Sequence, residues 1–250
     1  MRRLLAAGAA ALLAAAGTAC GGSRSAGGST GGPLVVFAAA SLTEPFQALA
    51  RTFQSQHPGV GVRFNFAASS ALARSLREGA DADVLATADE ATMATAVAAG
   101  DARGPVVFVR NRPAILVAPG NPEHLAGLAD LARPGVVLAL CAPEVPCGAL
   151  AAAAFRSAGV TPAPATLEPD VKAVVAKVVL GEADAGVVYR SDVRAAGAKA
   201  SGVDVDAPGV ENAYPIAVAT AARHRAAARQ WVDLVLSAAG RRALVAAGFQ

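Results

Sequence analysis

The chain has 250 residues, of which 54% are apolar and only 4% aromatic, so its apolar fraction is mostly Ala, Val and Leu. This length allows one large domain or two of ordinary size, and the composition excludes a disordered chain. The net charge is only +3, from 22 Lys and Arg against 19 Asp and Glu. No long basic run is present, which argues against a nucleic-acid partner.

The first residues have the order of an export signal. Arg2 and Arg3 precede an uncharged stretch, residues 4–16, that is too short to span a bilayer. We therefore predict a signal peptide over residues 1–19 and an exported protein. The small residues that lead into Cys20 resemble the lipobox of bacterial lipoproteins, in which this Cys carries the lipid. Gly17 departs from that pattern, which prefers a bulky aliphatic residue there, and ordinary cleavage nearby is the alternative.

Residues 20–33 are predicted to form a lipid-anchored flexible linker. They are almost all Gly, Ser, Ala and Thr, which cannot bury apolar surface. The linker also contains a G-x-S-x-G pattern around Ser29. No strand precedes it, so we interpret the match to a hydrolase nucleophile as chance.

The first half of the mature chain alternates short apolar runs with amphipathic segments. Strands are predicted at residues 34–40, 60–66 and 82–87, and helices around residues 46–53, 71–79 and 91–99. Gly100 follows the third helix as a stop signal. Strands that alternate with helices predict a parallel α/β sheet covered on both faces.

A second α/β set follows two apolar runs at residues 106–109 and 114–118. Helices are predicted at residues 125–131, 149–158, 171–180, 221–236 and 240–247, and strands at 136–140, 186–189 and 214–220. We predict two α/β lobes with mostly parallel sheets, joined by crossing segments near residues 110–119 and 212–218. Lobe 1 would comprise residues 34–112 and 213–250, and lobe 2 residues 113–212.

Several predicted helices begin in a way that could hold an anion. Residues 41–44 (SLTE) have the form of a capping box directly after a strand, and Ser69 follows the next strand in the same way. Cys147 and Val171 also lie at helix starts. Helix N-termini offer unpaired N–H groups and a partial positive charge, and in a parallel sheet they gather at one edge. Each serine could instead only cap its own helix.

The motifs at these positions resemble those of the periplasmic molybdate-binding proteins, the substrate receptors of ABC importers. The similar segments are residues 36–43 (VFAAASLT), 66–74 (FAASSALAR), 82–84 (ADV), 143–148 (PEVPCG), 170–172 (DVK), 186–192 (GVVYRSD) and 214–218 (YPIAV). They occur in order across residues 34–250. The resemblance implies a two-lobed type II periplasmic-binding-protein fold, a molybdate or tungstate ligand, no cofactor, and no catalysis.

The resemblance also implies the residues that hold the oxyanion. These are the hydroxyls of Ser41, Ser69 and Tyr189 and the backbone amides of Cys147 and Val171. The family usually has a small residue other than Cys at position 147, which is tolerable if only the N–H contributes. The expected partners are an ABC permease and its ATPase, and we expect a monomer tethered to the outer face of the membrane. The alternatives are a sulfate or phosphate receptor, a secreted hydrolase that uses Ser41 or Ser69, and a purely structural lipoprotein.

The remaining candidates are cysteines and scattered polar residues. Cys141 and Cys147 lie six residues apart in a chain predicted to be exported, which favours a disulfide over a metal site or a free catalytic thiol. Nothing in the sequence implies a partner for the three histidines, His57, His124 and His224. We expect Asp83, Asp89 and Asp184, which lie among small residues, to cap helices.

Overall fold

The computed structural model describes residues 32–250, so the predicted signal peptide, the Cys20 lipidation site and the linker up to residue 31 lie outside this range. The strands are β1 (Leu34–Ala39), β2 (Val62–Ala67), β3 (Val84–Ala86), β4 (Ala102–Asn111), β5 (Pro113–Val117), β6 (Leu138–Cys141), β7 (Thr166–Glu168), β8 (Ala185–Tyr189), β9 (Ser201–Asp204) and β10 (Asn212–Ala219). The helices are α1 (Thr43–Gln56), α2 (Ser69–Arg77), α3 (Glu90–Ala98), α4 (Pro146–Ser157), α5 (Val171–Val179), α6 (Arg190–Ala196), α7 (Arg225–Leu236) and α8 (Ala238–Ala246). Short 3₁₀ turns occur at Ala40–Leu42, Leu128–Ala132 and Gly197–Lys199.

These strands form two five-stranded sheets, with the orders β2-β1-β3-β10-β4 and β7-β6-β8-β5-β9. In the first sheet β1 is parallel to β2 and β3, whereas β10 is antiparallel to β3 and β4. In the second, β6 is parallel to β7 and β8, whereas β5 is antiparallel to β8 and β9. Each sheet therefore has a single reversed strand. The predicted two-lobed, mostly parallel α/β architecture is confirmed.

Strand β1 shows why the first sheet is covered on both faces. All six of its residues are buried. Val36 and Ala38 face one core, which contains Trp231, whereas Val35 and Phe37 face the other. A continuous apolar run of this kind is typical of a central strand with helices on both sides.

Trp231 of α7 packs the C-terminal helices onto the first sheet. Its ring is fully buried and meets the rings of Phe46, Phe53 and Phe64 edge-on, with centroids 5.4, 5.6 and 5.6 Å away. Edge-to-face pairs at such distances contribute about 0.5–1.5 kcal/mol beyond area burial. The C-terminal helices thereby pack against the first lobe, which also contains β1.

The chain passes between the sheets twice, and the reversed strands lie at these crossings. β4 ends at Asn111 and β5 begins at Pro113, so only Arg112 separates the two sheets. The buried Asn111 side chain donates to Ser191 Oγ at 2.8 Å. The return path leads from β9 through residues 205–211 into β10. β10 thus enters the first sheet directly beside the second lobe.

The structure differs from the sequence predictions mainly in short elements. The helix predicted at residues 125–131 is only a 3₁₀ turn, because Gly127 is extended and the Asn121 side chain bonds both the N–H and the C=O of Leu125. β7, β9 and α6 were not predicted. The two strands have three and four residues, and α6 follows β8 without a turn, so none carries a periodic signal.

Candidate functional site

A cavity between the two lobes is lined by residues of both. Its volume is about 10 Å³. The lining residues are Ala39, Ala40, Ser41, Ala67, Ala68, Ser69 and Ala88 on the first lobe and Val145, Pro146, Cys147, Asp170, Val171 and Tyr189 on the second. The structure thus brings together all five residues predicted to hold an oxyanion.

Ser41 lies in the 3₁₀ turn that follows β1, and it does not cap a helix. The predicted capping box is wrong, because neither the 3₁₀ turn nor α1 has a side-chain cap. Ser41 Oγ instead lies 2.9 Å from the hydroxyl of Tyr214, which is 173 residues away in the sequence. Ser41 is only 2% exposed. The partner of its buried hydroxyl is too distant in the sequence for any local pattern to reveal.

Ser69 is the first residue of α2, and it does not cap that helix either. Its Oγ accepts a hydrogen bond from the Ala88 N–H at 2.9 Å. Ala88 follows β3, which is the sheet neighbour of β1. This bond holds the serine hydroxyl at the carboxyl edge of the sheet and uses it as an acceptor, so its proton is free.

Cys147 is the second residue of α4, behind Pro146 at the first helical position. It forms a disulfide with Cys141 at the end of β6, with Cα atoms 5.8 Å apart. The next residue, Gly148, lies so close to the loop that an added Cβ would be 2.0 Å from Ala142 O. The loop and the helix start therefore form one tightly packed unit that presents the Cys147 N–H.

Val171 is the first residue of α5, and Asp170 caps this helix as predicted. Asp170 Oδ1 accepts from the Lys172 and Ala173 N–H groups at 2.8 and 3.1 Å. Within residues 32–250 neither the Val171 N–H nor the Cys147 N–H donates to a protein acceptor. Both lie in a first helical turn, where an N–H has no intrahelical partner, so both are available to an anion.

Tyr189 ends β8 and is 1% exposed. Its hydroxyl accepts from Asn212 Nδ2 at 3.0 Å. Burial raises the pKa of Tyr189 well above its usual value, and the neighbouring Tyr214 acts in the same direction. Burial also raises the pKa of Tyr214, although Ser41 opposes this shift. Both phenols therefore keep their protons at any physiological pH and can donate.

An ion-pair network joins the lobes beside the cavity. Lys172 Nζ on α5 lies 2.8 Å from Glu44 Oε2 on α1 and 3.2 Å from Asp192 Oδ1 on α6. Burial opposes the charge of Lys172, but Asp192 and Glu44 outweigh it and raise the pKa of Lys172. Burial raises the pKa of Asp192 to about 6, although Lys172 pulls it downward.

The sequence did not single out four residues that surround the predicted donors. Tyr214 and Asn212 lie on β10, and Lys172 and Asp192 follow two of the donors in sequence. All four lie in or next to motifs that were recognised. Their partners are distant along the chain, so spacing alone gave no sign of them.

Asp83 and His224 pair at the opposite, amino edge of the first sheet. Asp83 accepts from Val35 N–H and His224 N–H and lies 2.9 Å from His224 Nδ1. Burial raises the pKa of Asp83, but these hydrogen bonds outweigh it and lower the pKa overall. The prediction that Asp83 caps a helix is therefore wrong. His224 has a partner that the sequence did not predict. Asp184 is also no helix cap, since it accepts from Val137 N–H, whereas Asp89 caps α3 as predicted.

A larger cavity of about 540 Å³ lies at this amino edge. Its wall carries charges of both signs, including the ion pair of Arg223 with Asp81 at 2.7 Å. Among the residues that the structure describes, its wall presents no set of convergent donors comparable with the one between the lobes. Within residues 32–250, no three His, Cys, Asp or Glu side chains form a metal site, and no helix has the length and hydropathy to cross a membrane.

Known proteins share both the sequence and the fold. Over 218 residues the chain is 44% identical to the molybdate-binding protein ModA of Mycobacterium tuberculosis, with 86% of this chain and 84% of the relative covered. The solved molybdate-binding protein of Azotobacter vinelandii superposes with a TM-score of 0.72 at 20% identity, with 87% and 98% covered. The sulfate-binding protein SubI of M. tuberculosis superposes with a TM-score of 0.75 at 19% identity, with 88% and 86% covered.

The two structural matches establish the fold and do not distinguish one oxyanion from another. The family of bacterial extracellular solute-binding proteins matches residues 34–250, which is the whole two-lobed part of the chain. Together with the site between the lobes, this match shows that the chain belongs to the bacterial extracellular solute-binding protein family.

Proposed function

We propose that this protein captures molybdate or tungstate outside the cytoplasm and delivers it to an ABC import permease and its ATPase. The observation that carries the proposal is the set of five hydrogen-bond donors, from both lobes, on the wall of one small cavity. The 44% identity to a protein named for molybdate binding supports the choice of ion.

The chemistry of the donors fits a fully deprotonated dianion. Three hydroxyls and two backbone N–H groups can all donate, and the starts of α2, α4 and α5 add positive ends of helix dipoles. The one carboxylate on the wall, Asp170, accepts two N–H groups of its own helix. A protonated oxyanion such as hydrogen phosphate would need a free acceptor, so we expect it to be rejected.

The proposed mechanism is closure of the lobes around the ion. Ser41 and Ser69 belong to the first lobe, and Cys147, Val171 and Tyr189 belong to the second. A ligand that contacts both sets binds the closed form better than the open one and shifts the population towards it. Release to the permease then requires that the lobes separate.

Calorimetric titration with molybdate, tungstate, sulfate and phosphate tests the proposed function. We expect tight binding of molybdate or tungstate and weak or no binding of the other two. A thermal-shift series is the companion measurement, since a ligand at 100 times its Kd stabilises the folded state by about 2.7 kcal/mol. Tight sulfate binding without molybdate binding would falsify the proposal in favour of the rival receptor.

We further propose that the protein catalyses no reaction. Ser41 pairs with a tyrosine and Ser69 with a backbone N–H, and none of the three histidines lines the cavity. A serine nucleophile needs an adjacent base, which neither serine has here. A fluorophosphonate probe should leave both serines unlabelled, and labelling of either would support the hydrolase instead.

The cellular setting is part of the same proposal. We propose a monomer that is exported by the signal at residues 1–19 and held to the outer face of the membrane by a lipid on Cys20. Intact mass of the mature protein tests both, since lipidation predicts an N-terminal Cys that carries acyl chains. Alkylation without reductant should leave Cys141 and Cys147 unmodified, and two modified thiols would contradict the disulfide.

A further inference from the structure

Two side chains of β10, Asn212 and Tyr214, form hydrogen bonds with hydroxyls that line the cavity. We propose that β10 sets the direction of these hydroxyl protons: Tyr214 donates to Ser41 and Asn212 donates to Tyr189, so that both hydroxyls donate to the bound anion. Tyr214 and Asn212 are then positioning residues that do not touch the ion. This inference rests on the proposed function, because it concerns how the same site recognises its ligand.

The burial of Tyr214 decides the direction of its bond with Ser41. The phenol is fully buried, with Phe108, Tyr189 and Phe249 packed edge-on around its ring. Ser41 Oγ lies 2.9 Å from this hydroxyl, and the Tyr189 and Asn111 side chains are further polar neighbours that act on the pKa of Tyr214. If Ser41 donated, the buried phenol proton would lose its close acceptor and keep only the Tyr189 hydroxyl, with which it makes no close hydrogen bond, and this is costly. If Tyr214 donates, the Ser41 proton is left for the anion and both protons are satisfied.

The direction of the Asn212 bond follows from a second contact of the same amide. Asn212 Nδ2 lies 3.0 Å from the Tyr189 hydroxyl and 3.4 Å from the carbonyl oxygen of Pro146. A carbonyl oxygen only accepts, so the NH₂ group and not the amide oxygen must face this side. The Tyr189 hydroxyl therefore accepts from Asn212, and its own proton is free to turn towards the cavity.

Ser69 completes the pattern with a different kind of donor. Its Oγ accepts from the Ala88 N–H, a backbone group whose direction no side chain can change. All three cavity hydroxyls thus accept one hydrogen bond from the protein. A hydroxyl has a single proton, so each is fixed as a donor to the ligand.

A double-mutant cycle on molybdate affinity tests the role proposed for Tyr214. Tyr214→Phe keeps the ring and removes the hydroxyl, and we expect affinity to fall about tenfold. In a Ser41→Ala background the same change should cost at most about twofold, because the hydroxyl it orients is gone. In a Ser69→Ala background it should again cost about tenfold, since Ser69 is held by Ala88.

A second double-mutant cycle tests the role proposed for Asn212. This residue is only partly buried, so we do not expect its replacement to unfold the protein. Asn212→Leu should lower molybdate affinity several-fold, about three- to tenfold, and should have little further effect in a Tyr189→Phe background. Additive losses in both cycles would overturn the inference, since they would mean that β10 acts only by general packing.

The outcome can be separated from that of the proposed function. If the wild type binds sulfate and not molybdate, the proposed function fails and the cycles are measured with sulfate. The Tyr214–Ser41 cycle is also measured on the free energy of unfolding of the ligand-free protein, which requires no ligand. Coupling between Tyr214 and Ser41 there supports the pairing, and its absence overturns it.

Discussion

At the residue scale, the cavity is lined by groups that each have an N–H or O–H left to donate. Ser69 shows this most simply, because its oxygen accepts from Ala88 and its proton is left to donate to a ligand. The Cys147 and Val171 N–H groups are donors by nature. A hydrogen bond to a charged group contributes about 1.5–3 kcal/mol, so five of them can replace much of the hydration of an oxyanion.

Replacement of Ser69 by Ala should therefore weaken oxyanion binding about 10- to 100-fold. It should also lower the free energy of unfolding by about 1–3 kcal/mol, because the Ala88 N–H is left without its acceptor. Calorimetry and urea unfolding measure the two effects. Ser70→Ala is the matched control on the same helix, since Ser70 does not line this cavity. Equal effects of the two variants would contradict the role of Ser69.

Asp192 makes stability depend on pH in the direction opposite to that of an ordinary carboxylate. Its pKa is about 6 in the folded protein, against about 3.9 in an unfolded chain. The folded state therefore binds more protons between these values, and the contribution of Asp192 to stability falls as pH rises through this window.

The comparison with Asp192→Asn isolates this effect, because Asn keeps an oxygen that can accept from the Tyr189 N–H. We expect the stability of the wild type relative to this variant to fall by about 2 kcal/mol between pH 4 and pH 7. Urea unfolding at several pH values measures it. A difference that stays constant with pH would show that Asp192 does not titrate in this range.

At the element scale, helix starts directly after strands decide where the donors lie. Sequence patterns predicted the strands before Ser41 and Ser69 and the helices after Cys147 and Val171, because apolar runs and cap residues are local signals. The capping-box pattern at Ser41 is wrong, because the Ser41 side chain bonds Tyr214 and not its own helix. A serine at a helix start has the same local sequence in both cases.

Gly148 offers a test of the α4 start. An added Cβ would overlap Ala142 O, so Gly148→Ala must displace the backbone that presents the Cys147 N–H. We expect molybdate affinity to fall at least about tenfold and the melting temperature to drop by several degrees, about 2–4 °C per kcal/mol lost. Gly127→Ala, where an added Cβ meets nothing within 4 Å, is the control and should do neither. Unchanged affinity in Gly148→Ala would show that the Cys147 N–H does not bind the ligand.

At the scale of the whole molecule, the proposed closure of the lobes would assemble the site and also form contacts outside it. Lys172 of lobe 2 bonds both carboxylate oxygens of Glu44 in lobe 1, at 2.8 and 2.9 Å. This pair can form only when the lobes are together. Its strength therefore adds to the stability of the closed form relative to the open one.

Glu44→Gln should weaken ligand binding by a small factor, about two- to fivefold, because a half-exposed ion pair contributes about 0.2–1 kcal/mol. The loss should shrink at high salt, which screens the pair in the wild type. Glu182→Gln breaks the pair with Lys177, which lies wholly within lobe 2, and should leave affinity unchanged. The same loss in both variants would show that the effect is not one of closure.

The sequence by itself predicted most of the longer elements and the two α/β lobes, and its resemblance to a known family pointed to the five residues on the cavity wall. These follow from local periodicity, from turn and cap residues, and from motifs with a recognisable family pattern. Only the tertiary structure decided which groups bond to or surround those five residues. Tyr214 meets Ser41 across 173 residues, and Lys172 meets Glu44 across 128. Such pairs exist only because strand order and lobe closure bring distant segments together, so no local pattern in the chain encodes the direction of a hydroxyl proton or the strength of the closed state.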